Sequence, residues 1–308
     1  MAASGKSAAG RSYRRSFMFK GVYTAIVTPF TKDNKIDEKV LRKLIDIQIE
    51  NKISGIVPVG TTGESPTLSH EEHHRVIEIV IDQVKGRVPV IAGTGSNSTD
   101  EAIELTAHAK KAGASASLQV APYYNKPTDE GFLRHFTAIA DAVDLPMIVY
   151  NIPGRTGKNI ENHVMLHLAN HKNIVGVKEA SGNIGQVMDL IQARPGDFCV
   201  LSGDDNLAYA MMALGAEGVV SVASNLIPAE MMKLVNLIFA GKWDEALLLH
   251  YSLLPLFKAI FIETNPIPIK AALAMKGLLQ EIYRLPMCPM VQANREKLGR
   301  VLKEMGII

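Results

Sequence analysis

From Met18 onward the chain alternates short β-branched apolar runs with longer amphipathic stretches. Eight runs read as strands: Val22–Thr28, Gly55–Val59, Val88–Ala92, Ser117–Ala121, Met147–Asn151, Ile174–Lys178, Cys199–Ser202 and Gly218–Val222. Each is nearly apolar on both faces, as a parallel strand buried between layers must be. Between them, EKVLRKLIDIQIE at 38–50 and TDEAIELTAHAKKA at 99–112 carry apolar residues at helical spacing. Thr99 is the expected N-cap of the second helix, Ser69 and Glu72 form a capping-box signature, and Gly113 stands where a C-cap glycine belongs. Strict β/α alternation predicts an α/β protein with a parallel sheet. Eight strands in about 200 residues fit a closed (β/α)8 TIM barrel better than an open sheet. The first strand runs into Thr28-Pro29-Phe30, with none of the glycine-rich turn that opens a dinucleotide-binding sheet. From about Pro228 the pattern turns wholly helical. The expected division is therefore an N-terminal extension (1–17), a barrel (18–227) and a helical C-terminal extension (228–308).

Composition narrows the class. A chain of 308 residues with 47% hydrophobic and 21% charged residues is globular rather than disordered. A net charge of +2 gives no electrostatic case for nucleic acid or an anionic membrane, and no apolar run is long enough to span a bilayer. Two cysteines, Cys199 and Cys288, cannot make a disulfide framework or a cysteine-rich zinc site, so a reduced cytoplasmic setting is the default. Residues 1–17 hold Lys6, Arg11, Arg14 and Arg15 and no acid. Such a segment fits a vector-derived or alternative-start extension, or a transit peptide, which would place the protein in a plastid.

In a barrel of this kind the active site lies at the C-terminal ends of the strands. There the sequence places Gly60-Thr61-Thr62-Gly63-Glu64-Ser65, Pro122-Tyr123-Tyr124-Asn125, Tyr150-Asn151-Ile152-Pro153-Gly154-Arg155, Val177-Lys178-Glu179 and Ser202-Gly203-Asp204-Asp205. Lys178 is the sharpest signal. It closes an apolar run, where desolvation would favour the neutral amine and make it nucleophilic toward carbonyls. The alternative is a lysine snorkelling to water. Tyr150 and Tyr124 read as core aromatics or as proton shuttles. Arg155 suits a substrate carboxylate or a surface ion pair. Thr61 and Thr62 offer hydroxyls and backbone N–H groups to a small carboxylate or phosphate, without the lysine of a P-loop. His70-Glu71-Glu72-His73-His74 matches the H-E-x-x-H zinc pattern. Ser69 puts those histidines at the helix start, and no third ligand follows, which argues against a metalloprotease.

GTTGES at 60–65, PYYN at 122–125, YNIPGRTG at 150–157, GVKEASG at 176–182, LSGDD at 201–205 and NPIPIK at 265–270 together resemble the dihydrodipicolinate synthases of the N-acetylneuraminate lyase superfamily. The resemblance runs from Met18 to the C-terminus. It implies a class I aldolase-type lyase that needs no metal or cofactor. Lys178 would form an imine with pyruvate, Tyr150 would shuttle protons, and Thr61 and Tyr124 would complete the relay, Tyr124 reaching into a neighbouring subunit's site. Thr62, Gly203 and Val220 would help hold pyruvate, and Arg155 would bind the carboxylate of L-aspartate 4-semialdehyde. The product would be 4-hydroxy-tetrahydrodipicolinate, a precursor of diaminopimelate and lysine. The resemblance further implies a homotetramer built as a dimer of dimers. It also implies feedback inhibition by L-lysine at Ser65, His70, His73, Asn97, Glu101 and Tyr123. Thr61 and Arg155 separate this chain from the sialic-acid lyases, which typically have serine at the first position and lack arginine at the second. A sugar-acid aldolase and a barrel that binds without catalysing are the remaining readings.

Overall fold

The computed structural model describes residues 19–308, so the 1–17 extension lies outside the described residues. Eight parallel strands, β1 (Gly21–Ala25), β2 (Gly55–Val57), β3 (Ile91–Gly93), β4 (Ala116–Val120), β5 (Met147–Asn151), β6 (Ile174–Glu179), β7 (Cys199–Ser202) and β8 (Gly218–Ser221), hydrogen-bond in the order β2-β1-β8-β7-β6-β5-β4-β3. A parallel bridge from Ile56 to Val90 and a bond from Gly93 N–H to Pro58 O (3.1 Å) join β2 to β3 and close the ring. This is the (β/α)8 barrel expected from the alternation of elements.

Strand alternation divides the apolar residues between two cores. Tyr23, Ala25, Val57, Ile91, Leu118, Ile148, Tyr150, Leu201 and Val220 fill the barrel interior. Val22, Ile26, Val149, Val177 and Val219 point outward onto the helices. The expected β1 and β2 run too far because Ile26, Val27 and Val59 stay buried after the ladder has ended. The third strand starts later than expected, at Ile91.

The helices Glu38–Glu50 and Thr99–Ala112 have the expected bounds, and Gly113 caps the second at φ 100°. Its N-cap, however, is Ser98 rather than Thr99. The Ser98 side chain accepts from Glu101 N–H, while Thr99 Oγ1 bonds to His135 Nδ1 at 2.9 Å. The Ser69–Glu72 capping box forms in full at the start of His70–Val84. After β8 the chain is helical in Pro228–Phe239, Trp243–Ala259, Ile267–Met275 and Gln292–Glu304. Among the described residues no helix is long and apolar enough to cross a membrane.

Candidate active site

One slip in strand register sets the orientation of the central lysine. Met147 pairs with Ile174, but the next residue, Ile148, pairs with Gly176, so Val175 is extra. Because side chains alternate in a strand, an inserted residue exchanges the inward and outward positions beyond it. Lys178, not Val177, therefore faces the barrel interior beside Tyr150. Gly176 allows the close approach the bulge requires: a Cβ there would lie 2.2 Å from Cys199 Sγ.

Lys178 is only 7% exposed, and its Nζ sits 3.9 Å from the centroid of the Tyr150 ring. The lysine does not snorkel. Gly203 lies against its stem, since a Cβ there would come within 3.0 Å of Lys178 Cε. Burial lowers the amine to a pKa of about 7, with Arg155 pushing the same way and Asp205 pulling it back up. Burial also holds the Tyr150 phenol well above its ordinary range, partly countered by Arg155 and by Thr61 beside its hydroxyl. The phenol thus stays protonated while a substantial share of the amine beside it is in the neutral, nucleophilic form at pH 7.

The cavity above Lys178 has a volume of about 450 Å³, a size suited to small metabolites. Thr61, Thr62, Tyr150, Arg155 and Lys178 line it, and so do Ser65, His70, His73, Glu101 and Tyr123. All the groups expected to react except Tyr124, and most of those expected to hold an effector, thus share one continuous space. Asn97 is not among the lining residues; its side-chain amide donates to Tyr123 O at 3.1 Å. Val220 belongs to the packed barrel interior beneath. Tyr124 is 91% exposed, held in the left-handed region at φ 69°, and is not part of this wall. Val59 (φ 49°) and Glu64 (φ 55°) share that rare conformation in the loop after β2. Such strain gathers where a site is held in a fixed shape.

Arg155 makes no surface ion pair among the described residues; its Nη2 donates to Asn265 O at 3.1 Å. The zinc-like histidines are engaged elsewhere. His70 Nε2 meets Glu101 Oε1 at 2.7 Å, and His74 stacks on His108 at 3.7 Å between centroids. Bonds from Ser96 and from His70 hold the Glu101 carboxyl below its usual range. His73 bonds to Gly93 O, and burial lowers it to about 4.

Four contributors escape local sequence reasoning. Asp205 is buried, accepts from Val222 and Ala223 N–H at 2.9 Å each, and is raised to about 6 by burial. Asn265 donates to Thr62 Oγ1 at 2.9 Å, and Lys270 to Glu64 Oε1 at 2.5 Å. The quoted motifs GTTGES, LSGDD and NPIPIK held all four residues, but the sequence shows nothing of their partners.

A family model, the dihydrodipicolinate synthetase family, matches residues 18–305. The chain belongs to that family. It is 56% identical over 291 residues to 4-hydroxy-tetrahydrodipicolinate synthase of Syntrophus aciditrophicus, covering 94% of this chain and all of that one. Among solved structures, dihydrodipicolinate synthase of Cyanidioschyzon merolae with lysine bound superposes with a TM-score of 0.93 at 42% identity, covering 95% of this chain and 100% of the other. A monomeric dihydrodipicolinate synthase variant gives 0.93 at 41% identity, covering 94% and 98%.

Proposed function

We propose that this chain condenses pyruvate with L-aspartate 4-semialdehyde to 4-hydroxy-tetrahydrodipicolinate, in the route to diaminopimelate and lysine. The observation that carries the reading is the near-neutral Lys178 amine under Tyr150, in a cavity that also holds Thr61, Thr62 and Arg155. Lys178 Nζ attacks the keto carbon of pyruvate, and water leaves as the imine forms. The imine withdraws electrons, so the methyl group loses a proton to give an enamine. The enamine carbon then attacks the aldehyde of the second substrate, whose carboxylate Arg155 holds, and that substrate's own amino group adds to the imine carbon and expels the Lys178 amine, which closes the ring and frees the enzyme. Tyr150, kept protonated by burial, delivers and recovers protons, passing them through Thr61 to Tyr124 of a neighbouring subunit. Thr62 holds the pyruvate carboxylate, with Gly203 and Val220 shaping the floor. The barrel (18–227) carries the reacting groups and the helical region (228–308) braces them.

L-lysine is the proposed inhibitor, at Ser65, His70, His73, Asn97, Glu101 and Tyr123. Glu101, held ionised by Ser96 and His70, suits an ammonium group. Assembly as a dimer of dimers is supported by the exposure of Tyr124, which reaches no site of its own chain, and of Leu248 (72%) and Tyr251 (60%) on one helix. The cytoplasm is the proposed compartment, in keeping with the free cysteines Cys199 and Cys288.

The test is turnover of pyruvate and L-aspartate 4-semialdehyde in a reductase-coupled assay, with and without L-lysine. Turnover that lysine suppresses is expected. A chain that traps pyruvate on Lys178 with borohydride but does not turn over this aldehyde would be a sugar-acid aldolase instead. A chain showing neither signal would not be an enzyme of this class.

A further inference from the structure

The C-terminal helical region reaches back to the 60–65 loop at two points, Asn265 on Thr62 and Lys270 on Glu64. The second contact is sealed from water: the Lys270 and Glu64 side chains are 0% and 1% exposed. The ammonium also lies 4.4 Å from the centroid of the Phe30 ring. Glu64 is in the left-handed conformation, and its N–H donates to Thr61 O at 3.2 Å. The ion pair therefore clamps the turn that presents Thr61 and Thr62 to the cavity. Stability alone does not call for two charges here, because desolvation offsets most of their attraction and a well-packed apolar pair would close the same space.

Asn265 turns this clamp into an orientation. Its amide N–H occupies Thr62 Oγ1 as an acceptor, so the Thr62 hydroxyl proton is left to be donated elsewhere. Its backbone carbonyl accepts from Arg155. One residue thus touches both groups assigned to substrate carboxylates.

We propose that Lys270, clamped on Glu64, is a positioning residue that holds Asn265 against Thr62 and so aims the Thr62 hydroxyl at the pyruvate carboxylate. The inference rests on the proposed function in taking that carboxylate as the ligand of Thr62. A carboxylate contact persists from ground state to transition state, so weakening it raises KM and leaves kcat little changed. A purely structural role would instead lower the amount of active enzyme and leave KM where it was.

The test compares the parent chain with Lys270→Met and with the double variant Glu64→Gln/Lys270→Met. The double variant replaces both charges and covers the case in which the single variant does not fold. The readouts are the pyruvate concentration that half-saturates borohydride trapping, and the steady-state KM and kcat. Each folded variant should need about fivefold or more pyruvate, the scale of a weakened hydrogen bond to a carboxylate, with kcat within about threefold of the parent. A smaller rise in either folded variant overturns the inference. Turnover of pyruvate with L-aspartate 4-semialdehyde by the parent secures the function independently; a parent that traps no pyruvate on Lys178 removes the function, and this inference with it.

Discussion

Lys178 closes an apolar run and Lys270 interrupts one, and each is shut away from water, yet they stand in opposite electrostatic settings. Lys270 meets Glu64 directly, between the rings of Phe30 and Tyr283. Lys178 has no ion-pair partner among the described residues, only the Tyr150 ring, the pull of Asp205 and the push of Arg155. Burial lowers the pKa of both amines; at Lys270 the hydrogen-bonded Glu64 carboxylate pulls it back up by direct contact, whereas at Lys178 Asp205 does so only through space. A buried, paired lysine is a fixed charge that ties two segments together. A buried, unpaired one is a nucleophile near neutrality, bought with stability. With Lys178 lowered to about 7, the unfolded chain keeps a proton that the native state has released from there up to the ordinary lysine range. Its contribution to stability therefore rises with pH across that window, by about 1.4 kcal/mol for each pH step of one, and the full penalty applies below pH 7.

The largest effect should come from Lys178→Met. Turnover should fall by roughly 10⁴-fold or more, the scale of losing a covalent nucleophile. The melting temperature should rise at the same time, most of all below pH 7, and calorimetry across pH checks the sign. Tyr150→Phe should lower kcat by about 10²- to 10⁴-fold, the range of lost general acid–base catalysis, while pyruvate is still trapped slowly on Lys178. Lys270→Met should do the reverse of Lys178→Met to stability, since a stranded buried charge costs about 3–5 kcal/mol. Denaturant unfolding should show that loss, with most of it recovered in Glu64→Gln/Lys270→Met. The smallest effect belongs to Asp205→Asn. Removing the charge that raises Lys178 should move the acid limb of kcat/KM to lower pH, by up to about one pH unit.

The two lysines also mark what could be read from the sequence. Ile174-Val175-Gly176-Val177-Lys178 and Ile267-Pro268-Ile269-Lys270 both set a lysine directly after apolar residues. Neither says whether a carboxylate waits in space, because Glu64 is 206 positions from Lys270. Elements written in local pattern were legible: β5, β7 and the helices 38–50 and 99–112 have the expected bounds. So was the gathering of strand-end residues at one mouth. The bulge at Val175 was not, because it depends on the register against β5 rather than on the sequence of β6. Ser98 and Thr99 are adjacent hydroxyls, and local pattern does not show that Ser98 caps the helix while Thr99 meets His135, 36 positions away.

The most direct measurement is the pH dependence of pyruvate trapping by borohydride, with the modified residue located by peptide mapping. One adduct per chain is expected, on Lys178, with a trapping rate that rises through a midpoint near pH 7. An adduct on another lysine, or a midpoint near the ordinary lysine value of about 10.4, would contradict the assignment of Lys178 as a buried, near-neutral nucleophile.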